Sequence, residues 1–337
     1  MFFFYKLMFM FSLLIGTLIS ISSYNWLGMW LGLEINLLSI IPLLSSTNNS
    51  MASEAALKYF ISQALASTLL LFSIIMMSLN LMYNINMNFY LLLIINTALL
   101  TKMGAAPFHF WFPEVIEGLN WNNTFIMLTW QKIAPMILIM YTNMTMFYIS
   151  IIIIISSSIG GLMGINQISL RKILAYSSIN HIAWMLSAMM FSETIWLYYF
   201  IIYSIISLNL IIIFKKLNIF YIKQLFISMN NQSMTKFFFI LNFMSLGGLP
   251  PFLGFMPKWL TIQTLIENNY FFITFMIIIT TLITLYFYMR ISLSTMVMSM
   301  NELYFYKMPN LNMNWIYSIN FITIISLIFI TIMFNFN

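Results

Sequence analysis

Glu34, Lys102, Lys132, His181 and Lys258 each stand inside a long apolar stretch of the sequence. Ionisable residues set deep in apolar segments are costly and mark ion pathways by default. Their types suit proton transfer. Burial disfavours the charged form of a lysine and a nearby carboxylate favours it, so moving one partner charge can switch a buried lysine between its two states. An imidazole titrates in a range where such switching is possible. The set therefore reads as a proton relay. A packing role is open for each member. Glu34 and Lys102 could form a static ion pair, Lys132 could rest on carbonyls freed by Pro135, and Lys258 could snorkel to the far face. His181, among Ser177, Ser178 and Asn180, could be a neutral, satisfied core histidine. His109 reads as structural among its aromatic neighbours.

A second signal is a repeated motif. Gly104-Ala-Ala-Pro107-Phe108 is followed by Pro113, and Gly248-Leu-Pro-Pro251-Phe252 by Pro257 at the same interval. Both read G-x-x-P-F-x-x-x-x-P. Proline removes an N–H and clashes with the preceding turn, so helix breaks are expected at 104–107 and 248–251. At membrane depth such breaks must face protein or a water-filled cavity. Two broken helices entering from opposite faces are the pattern of an inverted-topology repeat with its site near the breaks. The repeats expected are about 24–165 and about 170–334, within one polytopic membrane domain over 1–337; a pair of ordinary proline kinks is the plainer alternative.

The elements that must hold these residues are membrane helices. The chain is 62% hydrophobic and only 6% charged, against about 25% charged in a soluble domain, so it cannot cover a water-facing surface. With roughly 20 apolar residues per crossing, an all-α membrane protein of about eleven transmembrane helices is expected. The segments fall near 3–22, 24–45, 54–79, 88–118, 122–142, 146–165, 170–190, 194–215, 237–266, 270–290 and 314–334. Those at 88–118 and 237–266 contain the breaks. The first apolar segment is longer than a signal-peptide core and no small-residue cleavage site follows it. Outside the mid-depth positions the basic residues are Lys6, Lys58, Arg171, Lys172, Lys215, Lys216, Lys223, Lys236, Arg290 and Lys307. Alternating spans put all of them on the side of the N-terminus, with Glu193 and Glu267 opposite. By the positive-inside rule the N-terminus then faces the matrix or cytoplasm.

Other chemistries lack equipment. Cysteine is absent, which excludes disulfides, thiolate metal ligands and Cys-held iron–sulfur clusters in this chain. No Gly-rich phosphate fingerprint follows a strand-like run, and no carboxylate cage for sodium is evident, since Glu34 is the mid-depth acid. No cofactor and no metal site is expected here.

Several stretches carry a family resemblance: Trp26-Leu-Gly-Met-Trp-Leu-Gly-Leu-Glu34-Ile-Asn36, Lys102-Met-Gly-Ala-Ala-Pro-Phe-His-Phe-Trp-Phe-Pro113, Thr129-Trp-Gln-Lys132-Ile-Ala-Pro135, Ser169-Leu-Arg-Lys172, Tyr176-Ser-Ser-Ile-Asn-His181, and Ser245 through Trp259. From about residue 12 to 290 the chain resembles subunit (chain) 2 of mitochondrial NADH:ubiquinone oxidoreductase, respiratory complex I, in its insect-like versions. The heavy Met, Ile, Phe and Asn usage fits the AT-rich coding of mitochondria.

That resemblance implies an antiporter-like, proton-translocating subunit of the complex I membrane arm, located in the inner membrane with its N-terminus in the matrix and its C-terminus in the intermembrane space. It implies a proton relay of Glu34 paired with Lys102, then Lys132, then Lys258, with His181 between the last two. NADH oxidation and ubiquinone reduction, with FMN and iron–sulfur clusters, would take place in other subunits, so the chain would be enzymatic only as part of that reductase. The implied partners are the core membrane subunits, accessory subunits and the lipid bilayer, in a hetero-oligomer without nucleic acid. The resemblance implies a core without the additional N-terminal helices of bacterial members and without the long lateral helix of the largest antiporter-like subunit. A free-standing cation/proton antiporter of the same superfamily, or a membrane-arm scaffold whose polar residues only specify assembly, are the competing readings.

Overall fold

The computed structural model describes residues 2–46, 49–83, 88–142, 145–229 and 233–297, with positions 317, 318, 320 and 321 besides. Apart from those positions, the expected segment 314–334 lies outside the described residues, as does Lys307. The chain is an all-helical membrane protein that divides into two compact units, Met1–Ile152 and Ile153–Asn337.

The first unit holds α1 (Phe2–Ser22), α2 (Trp26–Leu44), α3 (Ser50–Tyr83), α4 (Asn88–Met103), α5 (Trp111–Gly118), α6 (Trp121–Leu128), α7 (Trp130–Tyr141) and the start of α8 (Met146–Gly164). The rest of α8 lies in the second unit, followed by α9 (Leu170–Met189), α10 (Glu193–Leu217), α11 (Ile222–Met229), α12 (Ser233–Gly247), α13 (Phe255–Glu267) and α14 (Phe271–Val297). Among the described residues, 7 helical spans are long and apolar enough to cross a membrane, with α6 and α7 together counting as one.

The helices are patterned inside out relative to a water-soluble protein. On α1 the exposed face is Phe4, Leu7, Met8, Phe11, Ile15 and Leu18, while the buried face is Leu13, Gly16, Thr17 and Ser20. Such a continuous apolar stripe is not sustained in water; in lipid it is the ordinary outer face, and small residues on the inner face let helices approach closely. Gly16 and Gly32 do this for α1 and α2. A Cβ on Gly32 would stand 2.5 Å from the Ser20 nitrogen and 2.8 Å from the Gly16 carbonyl oxygen. Hydroxyls inside the helices satisfy themselves on their own backbone, as Ser39 does on the Asn36 carbonyl and Ser73 on that of Leu70.

α9 is the exception that locates the interior of the second unit. Its polar residues Ser177, Ser178, Asn180 and His181 make it too hydrophilic to face lipid, and every residue from Ile173 to Met189 is buried. It packs against α10, α13 and α14. Gly160 of α8 lies against it too, where a Cβ would meet the Asn180 nitrogen at 2.7 Å.

Three features depart from the spans expected from sequence. The segment 122–142 is divided at Thr129, between α6 and α7. Pro135 has no N–H for the Gln131 carbonyl, which loosens the ladder one turn before the proline. The loop 216–236 contains the short amphipathic helix α11, tied to the start of α9 by a bridge between Ser169 and Tyr221. And α14 runs to Val297, about two turns past the expected end at 290.

Replacing Gly32 by Val forces α1 and α2 apart. Overpacking of this kind costs about 1–3 kcal/mol, so the variant is expected to lower the thermal stability of the purified protein, whereas Leu31→Val on the lipid face leaves it unchanged; thermal unfolding of both variants measures the difference.

Candidate functional site

In the first unit the break lies between α4 and α5, at residues 104–110. α4 ends in a Schellman motif: the Gly104 N–H donates to the Thr101 carbonyl at 3.2 Å and the Ala105 N–H to the Leu100 carbonyl at 3.1 Å. Its hinge residue, Gly104, has φ +74°, a left-handed conformation that glycine adopts without Cβ strain. Side chains reinforce the helix end, one on a carbonyl that the motif already uses and one on the next. Trp111 Nε1 donates to the Thr101 carbonyl at 3.1 Å and Gln63 Nε2 to that of Lys102 at 3.4 Å. Such satisfaction is what allows a helix to end inside a membrane.

Lys102 sits in the last turn of α4 and is buried. Glu34, on α2, is the acid whose charge reaches it. The two do not form a direct ion pair: Oε1 of Glu34 is buried with no hydrogen-bond partner, and α3 packs against both α2 and α4. Lys132, only 1% exposed, lies on α7 just past the Thr129 interruption. Its Nζ stands 5.4 Å from the centre of the Phe112 ring. Phe112 in turn occupies the space that a Cβ on Gly104 would need, at 3.1 Å. Break and buried lysine are thus joined through one aromatic ring.

Next to Lys132, Gln131 ties three helices together. Its Nε2 donates to Asn36 Oδ1 on α2 at 2.8 Å, and its Oε1 accepts from Tyr59 Oη on α3 at 3.3 Å. One residue before Tyr59, Lys58 bridges Glu54 at 3.0 Å and Glu114 of α5 at 2.9 Å. His109 hydrogen-bonds through Nδ1 to the Pro107 carbonyl and stacks near Phe110, inside the break itself.

The second unit repeats the break. Residues 248–254 separate α12 from α13. The Gly248 N–H donates to the Ser245 carbonyl at 3.0 Å and the Leu249 N–H to that of Met244 at 3.3 Å, with φ +77° at Gly248. The hinge is the same Schellman motif at the matching glycine of the repeated sequence. Its cap differs. Lys258, buried on the first turn of α13, donates from Nζ to the carbonyls of Gly247 at 2.8 Å and Leu246 at 3.3 Å. A cation here also meets the negative end of the α12 dipole. Its stem fills the place of the missing Gly248 side chain, where a Cβ would stand 2.7 Å from Lys258 Cδ. The ammonium faces the Trp184 ring of α9, 5.8 Å from its centre.

One turn from Trp184, His181 hydrogen-bonds through Nδ1 to Tyr199 Oη at 2.9 Å and lies 4.9 Å from the Tyr203 ring. These rings, with Ser245, Leu246, Gly254 and Pro257, line a cavity of about 10 Å³, close to the least volume that holds one water. Leu246 is the residue whose carbonyl Lys258 caps. His181 and Lys258 thereby border one small, partly polar space. Tyr199 and Tyr203, which no sequence motif singles out, are buried neighbours of His181. No cluster of three or more metal-ligating side chains occurs among the described residues.

Residues 23–284 match the family described as NADH:quinone oxidoreductase/Mrp antiporter, TM. The chain is 49% identical over 336 residues to NADH-ubiquinone oxidoreductase chain 2 of Anopheles gambiae, covering 97% of each, and 52% identical over 329 residues to that of Aedes aegypti, covering 96% of each. This chain belongs to the NADH-ubiquinone oxidoreductase chain 2 family. The likeness extends to mammals at 41% identity with the protein of Loxodonta africana, over 83% of this chain and 82% of that one. Among solved structures, a chain of respiratory complex I from Thermus thermophilus with bound aureothin shares the fold, with a TM-score of 0.84 at 22% identity, over 96% of this chain and 77% of that one. A chain of the Mrp complex from Dietzia sp. DQ12-45-1b shares it with a TM-score of 0.70 at 16% identity, over 83% of this chain and 58% of that one.

Gly248 is required twice, for its left-handed backbone and for the space that Lys258 fills. Gly248→Ala is expected to destabilise the break by about 1–2 kcal/mol from the backbone alone and to displace Lys258 as well. Gly247→Ala, whose new Cβ meets nothing closer than 3.6 Å, is the matched control. Thermal stability and turnover should fall in the first variant and hold in the second.

Proposed function

We propose that this chain is a proton-translocating, antiporter-like core subunit of the membrane arm of NADH:ubiquinone oxidoreductase in the mitochondrial inner membrane. The observation that carries the reading is the placement of Lys102, Lys132 and Lys258, each buried at or beside an interrupted helix, in a chain about half identical to named chain 2 proteins. Such lysines can gain and lose a proton as neighbouring charge changes. Glu34, Lys102 and Lys132 serve as the proton-binding set of the first unit, and His181 with Lys258 as that of the second. The Gly104–Pro107 and Gly248–Pro251 breaks admit water to them.

The proposed architecture counts about eleven spans, taking α4 with α5, α6 with α7 and α12 with α13 as single crossings and 314–334 as the last. The repeats, about 24–165 and 170–334, are inverted copies, and the matching Schellman hinges support that relation. The N-terminus faces the matrix, the side on which Lys58, Arg171, Lys172, Lys215, Lys216, Lys223, Lys236 and Arg290 then fall. The chain binds no cofactor; flavin, iron–sulfur and quinone chemistry belong to partner core subunits, and the chain contributes to the reductase by coupling.

A second reading, a free-standing cation/proton antiporter, is favoured by the likeness of fold to a chain of an Mrp complex. Purification separates the two, since an oxidoreductase subunit carries flavin-bearing partners with it. Within the assembled complex, Lys132→Ala and Lys258→Ala are each expected to lower quinone-linked proton pumping by about tenfold or more, while NADH oxidation by an artificial acceptor is unchanged. Full pumping in both variants contradicts the proposal.

A further inference from the structure

At one end of the second unit a groove of about 410 Å³ opens between the α8–α9 turn, α11 and the end of α14. That volume lies within the range of small-molecule sites, and the groove is no part of the buried lysine sites. Its walls are apolar, from Ile165, Ile168, Ile222, Phe226 and Ile291, with Arg290, Ser294, Asn166 and Gln167 at polar positions. Ile168 is 66% exposed.

The floor is fixed rather than adaptable. The Leu170 N–H donates to the Phe220 carbonyl at 2.9 Å and the Ile222 N–H to that of Ile168 at 3.3 Å, locking the turn to the start of α11. Arg290 donates to the Ile165 carbonyl, which aims its guanidinium at the same turn. Arg171 lies over the Phe220 ring, 4.7 Å from its centre, and Lys172 and Lys223 are next in sequence to the residues that form the floor.

Depth adds a further constraint. Arg290 is roughly 29 Å along α14 from Phe271, close to the ~30 Å thickness of a hydrocarbon core. A helix that begins at one interface therefore brings this guanidinium to headgroup level at the other, with apolar walls beside it. Guanidinium groups hold phosphate oxygens in a planar, two-bond geometry, and basic pockets between membrane helices bind anionic headgroups.

We propose that this groove is a binding site for one anionic phospholipid, its phosphodiester held by Arg290 with Ser294, Asn166 and Gln167 around the headgroup, and an acyl chain along Ile168, Ile222 and Phe226. The bound lipid fills the space between α11 and α14 and fastens the amphipathic helix to the end of the unit.

The test uses the assembled complex in lipid nanodiscs containing a photoactivatable phosphatidylglycerol, or a photoactivatable phosphatidylcholine at the same fraction, with cross-linked peptides mapped by mass spectrometry. Phosphatidylglycerol should label the peptides around 165–168 and 222–226, with phosphatidylcholine several-fold weaker. Arg290→Gln should cut that labelling roughly fivefold, the weight of one basic residue near an anionic headgroup. Ile168→Trp, which fills the groove and keeps the charge, should cut it comparably. Native gels confirm that both variants assemble. Equal labelling by the two lipids, or undiminished labelling in both variants, overturns the site. Loss of labelling on adding inorganic phosphate reassigns it to a free anion and overturns the lipid. Absence of any label in the groove shows it covered by another subunit and overturns the proposal equally.

Discussion

Lys258 donates its ammonium protons to the last carbonyls of α12, and the second unit is organised around that contact. A helix end inside a membrane exposes carbonyl groups that the protein itself or a water-filled cavity must satisfy. The Schellman turn at Gly248 satisfies two of them from the backbone, those of Met244 and Ser245. Lys258 takes the two that follow, Leu246 and Gly247. The same side chain therefore completes the break and is the group whose protonation is proposed to change. Loss of its proton would weaken a cap on a helix end, so charge state and backbone geometry are joined at one atom.

The first unit reaches a comparable end by different means. Its hinge glycine has the same left-handed backbone and the same pair of hydrogen bonds. The carbonyl of Lys102, which corresponds in the repeated motif to that of Leu246, is capped by the neutral amide of Gln63. The Lys132 ammonium faces the Phe112 ring, which fills the space beside Gly104, and Lys102 feels Glu34 at a distance rather than through an ion pair. Two copies of one hinge thus place their lysines differently, one in the cap and two beside it.

Much of this was legible in the sequence because lipid imposes simple rules. Apolar runs and the recurring G-x-x-P-F-x-x-x-x-P could be read without coordinates, as could the burial of Lys102, Lys132, His181 and Lys258. The cause of the breaks was not. Proline was held responsible, yet the turns are made by Gly104 and Gly248, whose left-handed backbone ends each helix before the prolines are reached. Contacts between distant helices were equally hidden. Nothing local in Tyr199 or Tyr203 announces His181, and Gln131 gives no sign that it reaches Asn36 and Tyr59. The family resemblance pairs Glu34 with Lys102, but it does not give their separation, and α3 packs against both of their helices.

The central claim is that the Lys258 amine changes its protonation state during turnover rather than serving as a permanent cap. Arginine keeps the charge and the donors but does not deprotonate in proteins, whereas methionine keeps the length and loses both. The deciding measurement is the number of protons pumped per NADH oxidised by assembled complex carrying Lys258→Arg, with Lys258→Met as the comparison. The account predicts that the ratio falls in both variants, although arginine preserves stability better than methionine. A normal ratio in Lys258→Arg would show that a fixed positive charge at the end of α12 is sufficient, and would contradict it.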